Sequence, residues 1–423
     1  MKFTPKPPND FRDFFSLYFE RCRIQCPKIL AIAGKWVFED LIPGLSDFDT
    51  RFILTDTVTI DEWHQYSILV GQVHTELAIE FPHWARNLEH LPGLNLAMGE
   101  ITSPLQYYPE FKQWTFYAGD CEAIQHIEST LEARRWSPRD EIYHLKKVTA
   151  FFGPYIRGID PPINMGPWEN KYALHSRYMH YFTPAIQAMV SLKSKHTVRG
   201  KFDALRQARH LFPNPETIDL ILNTLEQHYE VEADYGEPRL TEIEQDLERY
   251  LNDAWGTLID DVTLLHAEFG DSRQDINAKV SGVPVDPAEA FFEGVKFSRF
   301  MKGRLLFYAS QIAWFDSVWL IQNELGRIVT NFHDKPLKTF GQLRYGEDLE
   351  PHQVLDRIRG DILTNEDCDG LAEFSRLASL PIPKDHEKQH AQAVAEVYDP
   401  VLSSLEKLSA EMITINSNGI DQT

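Results

Sequence analysis

The sequence predicts an α+β protein: an N-terminal module with a small mixed sheet and packed helices, followed by a mainly helical region. Three observations predict it. Short apolar runs of strand length alternate with helical stretches as far as about residue 120. From Glu122 onward the apolar spacing turns helical and stays so. A chain of 423 residues with 43% hydrophobic and 12% aromatic content can fill two or three packed domains.

Taken in order, Phe11–Arg23 reads as a helix with Phe14, Leu17 and Tyr18 as its apolar stripe, capped from Asn9/Asp10. Lys28–Ala33 reads as a short buried strand that ends at Gly34. A turn at Pro43-Gly44 leads into a strand over Asp47–Leu54. Side chains on a strand alternate, so Phe48, Thr50, Phe52 and Leu54 face a core while Asp47 and Asp49 share the opposite face, toward a cleft. Ile60–Phe81 is a helix, with Trp63, Val70, Val73 and Leu77 on its apolar side. Asn95–Thr102 and Gln113–Ala118 complete the strands. Residues 153–172, rich in Gly and Pro, form a long loop that links domains or covers a site. Lys201–Leu211, Pro215–Tyr229, Leu240–Phe269 and Pro287–Val329 are helical, and residues 270–286 mark a second boundary. The expected units are therefore 1–135, 136–280 and 281–423.

The net charge is −21, with 42 basic and 63 acidic residues. A nucleic-acid binder driven by phosphate contacts carries the opposite sign, so a small-molecule partner is expected instead. Cys22, Cys26, Cys121 and Cys368 show neither a disulfide framework nor zinc-ligand spacing, which predicts reduced thiols and a cytoplasmic setting. The amino terminus lacks an apolar signal segment. Leu305–Ile321, the most apolar stretch, is too short and too polar for a membrane span and predicts a buried helix.

Ala33-Gly34-Lys35, an eleven-residue spacer and Asp47-Phe48-Asp49-Thr50, with Ser46 before the first aspartate, resemble the signature of the polymerase-beta-like nucleotidyltransferase superfamily. The likeness covers about twenty residues in a strand–helix–strand setting. It implies a nucleotidyltransferase fold that moves a nucleoside monophosphate from a triphosphate, ATP being the expected donor, to a hydroxyl. Asp47 and Asp49 would hold Mg²⁺ in a two-metal arrangement. The turn at Gly34 would approach the phosphates. A third carboxylate on a neighbouring strand would be a metal ligand or base. Glu100 is the expected residue, with Glu89 and Asp120 behind it. Where the family has Gly-Ser, this chain has Gly34-Lys35, so a lysine charge stands in for a hydroxyl. That departure leaves open a catalytically degenerate nucleotide-binding or regulatory protein. A toxin–antitoxin-type or protein-modifying nucleotidyltransferase is a further alternative.

The helical region after the N-terminal module resembles the arrangement of aminoglycoside nucleotidyltransferases, with Ser191–Lys195 and the helices after it as the similar segment. Lys193, Lys195, Arg199, Lys201, Arg206 and Arg209 form the most basic run, read either as a phosphate clamp led by Lys195 or as a solvated face. The acidic stretch 226–261 would receive a cationic acceptor or lie in solvent. Trp168, Tyr172 and Tyr178 would stack on a base or pack in a core. His386-Glu387-Lys-Gln-His390 matches the HExxH pattern of zinc proteases in a charged segment. Arg327 and His333 are spaced in a way that resembles small helical RNase domains, but helix–helix packing accounts for the segment.

Overall fold

The computed structural model describes residues 11–41, 46, 48–85, 87–88, 90–157, 174–230, 287–310 and 317–420, with ten positions between 245 and 258 and residues 275 and 278. Side chains are described throughout these except at 149–157, 174–182, 224–230, 317 and 416–420. Most of the helix expected over Leu240–Phe269, and Trp168 and Tyr172, lie outside the described residues.

The N-terminal module opens with α1 (Phe11–Gln25), β1 (Ile29–Gly34), β2 (Thr50–Leu54) and α2 (Ile60–Glu80). It continues through β3 (Asn95–Ala97), α3 (Met98–Thr102), β4 (Thr115–Gly119) and α4 (Cys121–Ala133). The four strands make one mixed sheet in the order β3-β2-β1-β4. β1 pairs antiparallel with β2 and β4, whereas β2 and β3 run parallel, with Phe52 opposite Asn95 and Leu54 opposite Ala97. Both faces of the sheet are covered. Phe52 and Leu54 join the core beneath α1 and α2, while Ile53 joins Leu96, Phe111, Trp114, Ile127 and Leu131 on the other side. The alternation expected for β2 therefore holds, with charge in one place: Arg51 is buried between Thr50 and Phe52.

Two boundary shifts in the N-terminal module bear on the site. β2 starts at Thr50 rather than Asp47, because the preceding chain is tied down by Asn87 instead of by a strand. The Asn87 side chain donates to the Ser46 carbonyl at 2.6 Å and the Phe48 amide donates to the Asn87 carbonyl at 2.8 Å. β3 ends at Ala97, and the residues expected to extend it fold into α3. The Glu100 carboxylate accepts from the Ala97 amide at 2.8 Å, and Asp56 accepts from the Gly99 amide at 2.5 Å. Those side chains satisfy two of the free amides at a helix start. The same chemistry fixes α2, where Thr59 and Glu62 form a reciprocal cap with bonds of 3.2 and 2.7 Å.

The helical region begins with α5 (Pro138–Arg157), which runs through Gly153-Pro154 where a loop was expected, then α6 (Leu174–Ser194), α7 (Lys201–Leu211) and α8 (Pro215–Glu230). After it come α9 (Pro287–Ser298), α10 (Met301–Ala309) and α11 (Ser317–Val329), then α12 (Lys335–Tyr345), α13 (Pro351–Ile358) and α14 (Asn365–Ala378). The chain closes with α15 (Glu387–Glu396) and α16 (Asp399–Ile420). The expected single helix over 287–329 is thus three. It breaks first at Arg299, whose guanidinium is drawn between Glu100 and Glu406. It breaks again at Ser310, which is extended at ψ 148°. Between the breaks Gly303 lies against the backbone of α2, its amide donating to Ser67 Oγ at 2.8 Å.

The cores do not follow the three expected units. α5 to α8 build a core of their own around Leu145, Met189, Leu205 and Ile221, joined by Tyr250 and Leu258. The helices from α9 onward instead share one core with α1, α2 and the sheet, continuous from Phe11 to Met412. Among the described residues no helix is long and apolar enough to cross a membrane.

Candidate functional site at the start of β2

Asp49 immediately precedes β2, where the Asn87 anchor hands the chain to the sheet, and its side chain is 41% exposed. Arg51 Nη1 lies 3.9 Å from Asp49 Oδ1. The rest of that guanidinium is directed inward: Nε and Nη2 donate to Glu110 Oε1 at 3.2 and 2.9 Å, and Nη1 donates to the Thr50 carbonyl at 3.1 Å. Trp114 Nε1 donates to the same Glu110 oxygen at 3.1 Å. Arg51 therefore bridges an exposed carboxylate and a buried one.

Burial works to raise the Glu110 carboxyl, but Arg51, Lys35 and the Trp114 indole outweigh it and hold the group at about 2. Burial and the Glu110 charge push the Glu293 carboxyl the other way, up to about 7. Burial, with Lys35 beside it, pulls the Lys147 ammonium down; Lys147 and Tyr143 both donate to Gln113 Oε1, at 3.0 and 3.1 Å. Two carboxyls displaced in opposite directions within one cluster are a feature of sites built for proton transfer.

A cleft of about 220 Å³ opens over Asp49. Phe48, Arg51, His90 and Gly93 form one wall, and Arg304, Trp319, Asn323 and Arg327 form the other. A second cavity of about 410 Å³ adjoins it, sharing Phe297, Arg304, Glu324 and Arg327 and adding Glu293, Asn331 and Lys335. Arg304 is braced by Glu324 at 3.4 Å and by the Leu91 carbonyl at 2.8 Å. The cleft is thus a seam between the sheet and the C-terminal helices, with guanidinium groups on both sides.

The expected site residues disperse. Asp47 and Glu89 lie outside the described residues. Ser46 is held through its carbonyl by Asn87. Gly34 is explained by packing: a Cβ there would fall on the Tyr117 ring, whose hydroxyl donates to the Trp36 carbonyl at 2.6 Å. The space above Gly34 is filled by that ring. Lys35 lies 5.7 Å from the Trp36 ring centre and acts on Glu110 and Lys147.

Glu100 does not join Asp49. It is buried against Arg299, with bonds of 2.5 and 3.0 Å, and Arg299 also holds Glu406 at 2.6 Å. β2 and β3 run parallel, so Asp49 precedes one end of the pair and Glu100 follows the other. The rise along a strand separates them by roughly 16 Å. Asp120 caps α4, accepting from the Ala123 amide at 3.0 Å.

Lys195 lines a different cavity and pairs with Glu141 at 3.1 Å. Lys201 covers the Trp36 ring at 4.3 Å and Arg209 pairs with Asp219 at 3.2 Å, so the basic run does not converge on Asp49. His386 is exposed and precedes α15, while His390 is buried, so the HExxH histidines diverge. Arg327 reaches the cleft, but His333 is buried beside Asp334 at 2.8 Å and is absent from either cavity wall.

Arg51, Glu110, Glu293 and Arg304 escaped the sequence reading. Arg51 was the available signal: an arginine inside an apolar strand needs a buried carboxylate partner. Its partner is distant in sequence and could not be named. Mg²⁺ is commonly held by one or two carboxylates, with phosphates and water completing its shell. Asp49 fits as one ligand. Glu110 is occupied by Arg51, and the described residues hold no group of three such side chains. Comparison with protein-family models, curated proteins and solved structures gave no match.

Proposed function

We propose that the chain binds a nucleoside triphosphate, with ATP the expected donor, together with Mg²⁺ in the cleft at the start of β2. There it transfers the nucleoside monophosphate to a hydroxyl of a small-molecule acceptor, the α–β phosphoanhydride bond breaking and pyrophosphate leaving. The observation that carries this reading is Asp49, half-exposed at the entry to a central strand and facing Arg304 and Arg327 across the cleft. The guanidinium groups would take phosphate oxygens in paired hydrogen bonds. Asp49, with Asp47 as its sequence partner, would hold Mg²⁺, which offsets charge on the triphosphate. Glu293, in the adjoining cavity and poised at about 7, would accept the proton of the acceptor hydroxyl near neutral pH. The acidic chain favours a small acceptor over a nucleic acid.

A second reading, nucleotide binding without transfer, is favoured by one observation: Tyr117 fills the space at Gly34 that phosphates would enter. One experiment separates the two. Thermal unfolding is followed with Mg²⁺ and each of the four common triphosphates, and labelled nucleotide is followed onto acceptor hydroxyls. A ligand at about a hundred times its Kd stabilises the native state by about 2.7 kcal/mol. Stabilisation lost in Asp49→Asn, with label transfer, supports the enzyme; stabilisation without transfer supports the binding protein. No response to any triphosphate sinks both.

A further inference from the structure

A third cavity, of about 300 Å³, shares no wall residue with the Asp49 cleft. Lys112, Arg134, Trp136, Lys195, Thr197 and Arg199 form half of its wall, which Glu132 and Asp203 also line. Three buried polar atoms there lack a hydrogen-bond partner: Arg134 Nε, Trp136 Nε1 and Thr197 Oγ1. Thr197 is only 5% exposed. A polar group buried without a partner is destabilising, and all three can donate. The two carboxylates on the wall do not meet them: Asp203 accepts from the Gln207 carboxamide at 3.0 Å, and Glu132 is exposed.

The lining is also cationic on balance, with Lys112, Arg134, Lys195 and Arg199 set against Glu132 and Asp203. The carboxylates that pair with Lys112, Lys195 and Arg199 are Asp140, Glu141 and Glu128, and none of them lines the cavity. The connection from α6 to α7 that supplies Lys195 to Arg199 is held in place. The Gln187 carboxamide donates to the Val198 and Arg199 carbonyls at 3.0 and 2.8 Å, and the Val198 amide donates to Ser191 Oγ at 3.1 Å. Lys195 takes the left-handed conformation, φ 52°, that turns the chain there. Trp136 stacks one face on His144, with centroids 5.4 Å apart. Its N–H rather than its face is what it has to offer. Several donors on a fixed frame, with positive charge and no stacking platform, suit a compact multi-oxygen anion.

We infer that this cavity, between the N-terminal module and the α5–α8 helices, binds a small molecule through a phosphate group. The inference is independent of the reaction proposed for the Asp49 cleft. The test is calorimetric titration of the full chain with inorganic phosphate and with glycerol phosphate, in the absence of Mg²⁺. Saturable binding is expected, roughly tenfold weaker in Thr197→Val and in Trp136→Phe, each of which removes one donor. Arg327→Ala, in the other cleft, should leave it unchanged. Absence of saturable binding in the wild-type chain means that water alone fills the cavity and overturns the inference. Binding that survives both donor substitutions, with each variant shown to be folded, or that is lost in Arg327→Ala, overturns it equally.

Discussion

Glu293 and Glu100 are both buried carboxyls, and their environments send them in opposite directions. Among the described residues no cation is in direct contact with Glu293; burial and the Glu110 charge keep a proton on its native form up to about 7, against an ordinary value of 4.5. Below 4.5 both folded and unfolded chains hold that proton, and the group does not affect stability. Between 4.5 and 7 the unfolded chain ionises first, so stability falls, and above 7 the loss is complete. Glu293→Gln should therefore raise stability at pH 8, by up to about 3 kcal/mol, and the gain should vanish near pH 4. Urea unfolding at the two pH values measures it. For Glu100, burial works against ionisation but Arg299 prevails, and the carboxyl is held below its ordinary range. Its contribution is present above that range and disappears as pH falls through the lowered value. Glu100→Gln leaves Arg299 short of a partner and should cost about 3–5 kcal/mol near neutral pH. If Glu100→Gln lost triphosphate binding at unchanged stability, its structural role would be wrong.

At the scale of elements, close backbone approaches decide what sequence periodicity leaves open. Leu305–Ile321 reads as continuous helix, yet the chain breaks at Ser310, and α10 is pressed onto α2 at Gly303. A Cβ at Gly303 would strike the Ser67 carbonyl. Gly303→Ala should separate the two helices and destabilise the chain by about 1–3 kcal/mol, read as a lower thermal midpoint. Gly34 obeys the same logic on the sheet. Gly34→Ala should destabilise through Tyr117, and Tyr117→Ala should relieve part of that loss. A Gly34→Ala variant of normal stability that fails only in nucleotide binding would restore the phosphate-approach role to Gly34. Strand alternation in β2 was legible because it is local; Phe52 and Leu54 face one core and Ile53 the other, as period two requires. The end of β3 was not, because it depends on Asp56, forty-three residues from Gly99.

For the whole molecule, the expected boundary near residue 281 separates segments that share one core. Phe291, Phe300 and Leu305 lie in the same cluster as Phe15, Phe52 and Trp63. Arg299 ties α9 to both Glu100 and Glu406, and Arg304 ties α10 to the Leu91 carbonyl. A chain ending at residue 286 would leave this apolar surface in water and should not fold cooperatively. The α5–α8 helices have their own core, so denaturant should unfold them in a separate step from the sheet and the C-terminal helices. Circular dichroism with tryptophan fluorescence as a second probe would show two midpoints; one coincident transition would contradict it.

The sequence by itself determined what is set by neighbours within a turn or a strand: the α+β class, most of the helices and the two faces of β2. Those follow from side-chain periodicity and local hydrogen bonding, which act over a few residues. It also singled out Asp49, as half of an Asp47/Asp49 pair on one strand face, spaced from Gly34 as in the nucleotidyltransferase signature it resembles. Only the tertiary structure decided what stands around it. Arg51 finds Glu110 across fifty-nine residues, and Glu100 is claimed by Arg299 across one hundred and ninety-nine. A buried charge takes whichever opposite charge the fold brings within hydrogen-bonding reach, and no spacing rule in the sequence records that choice.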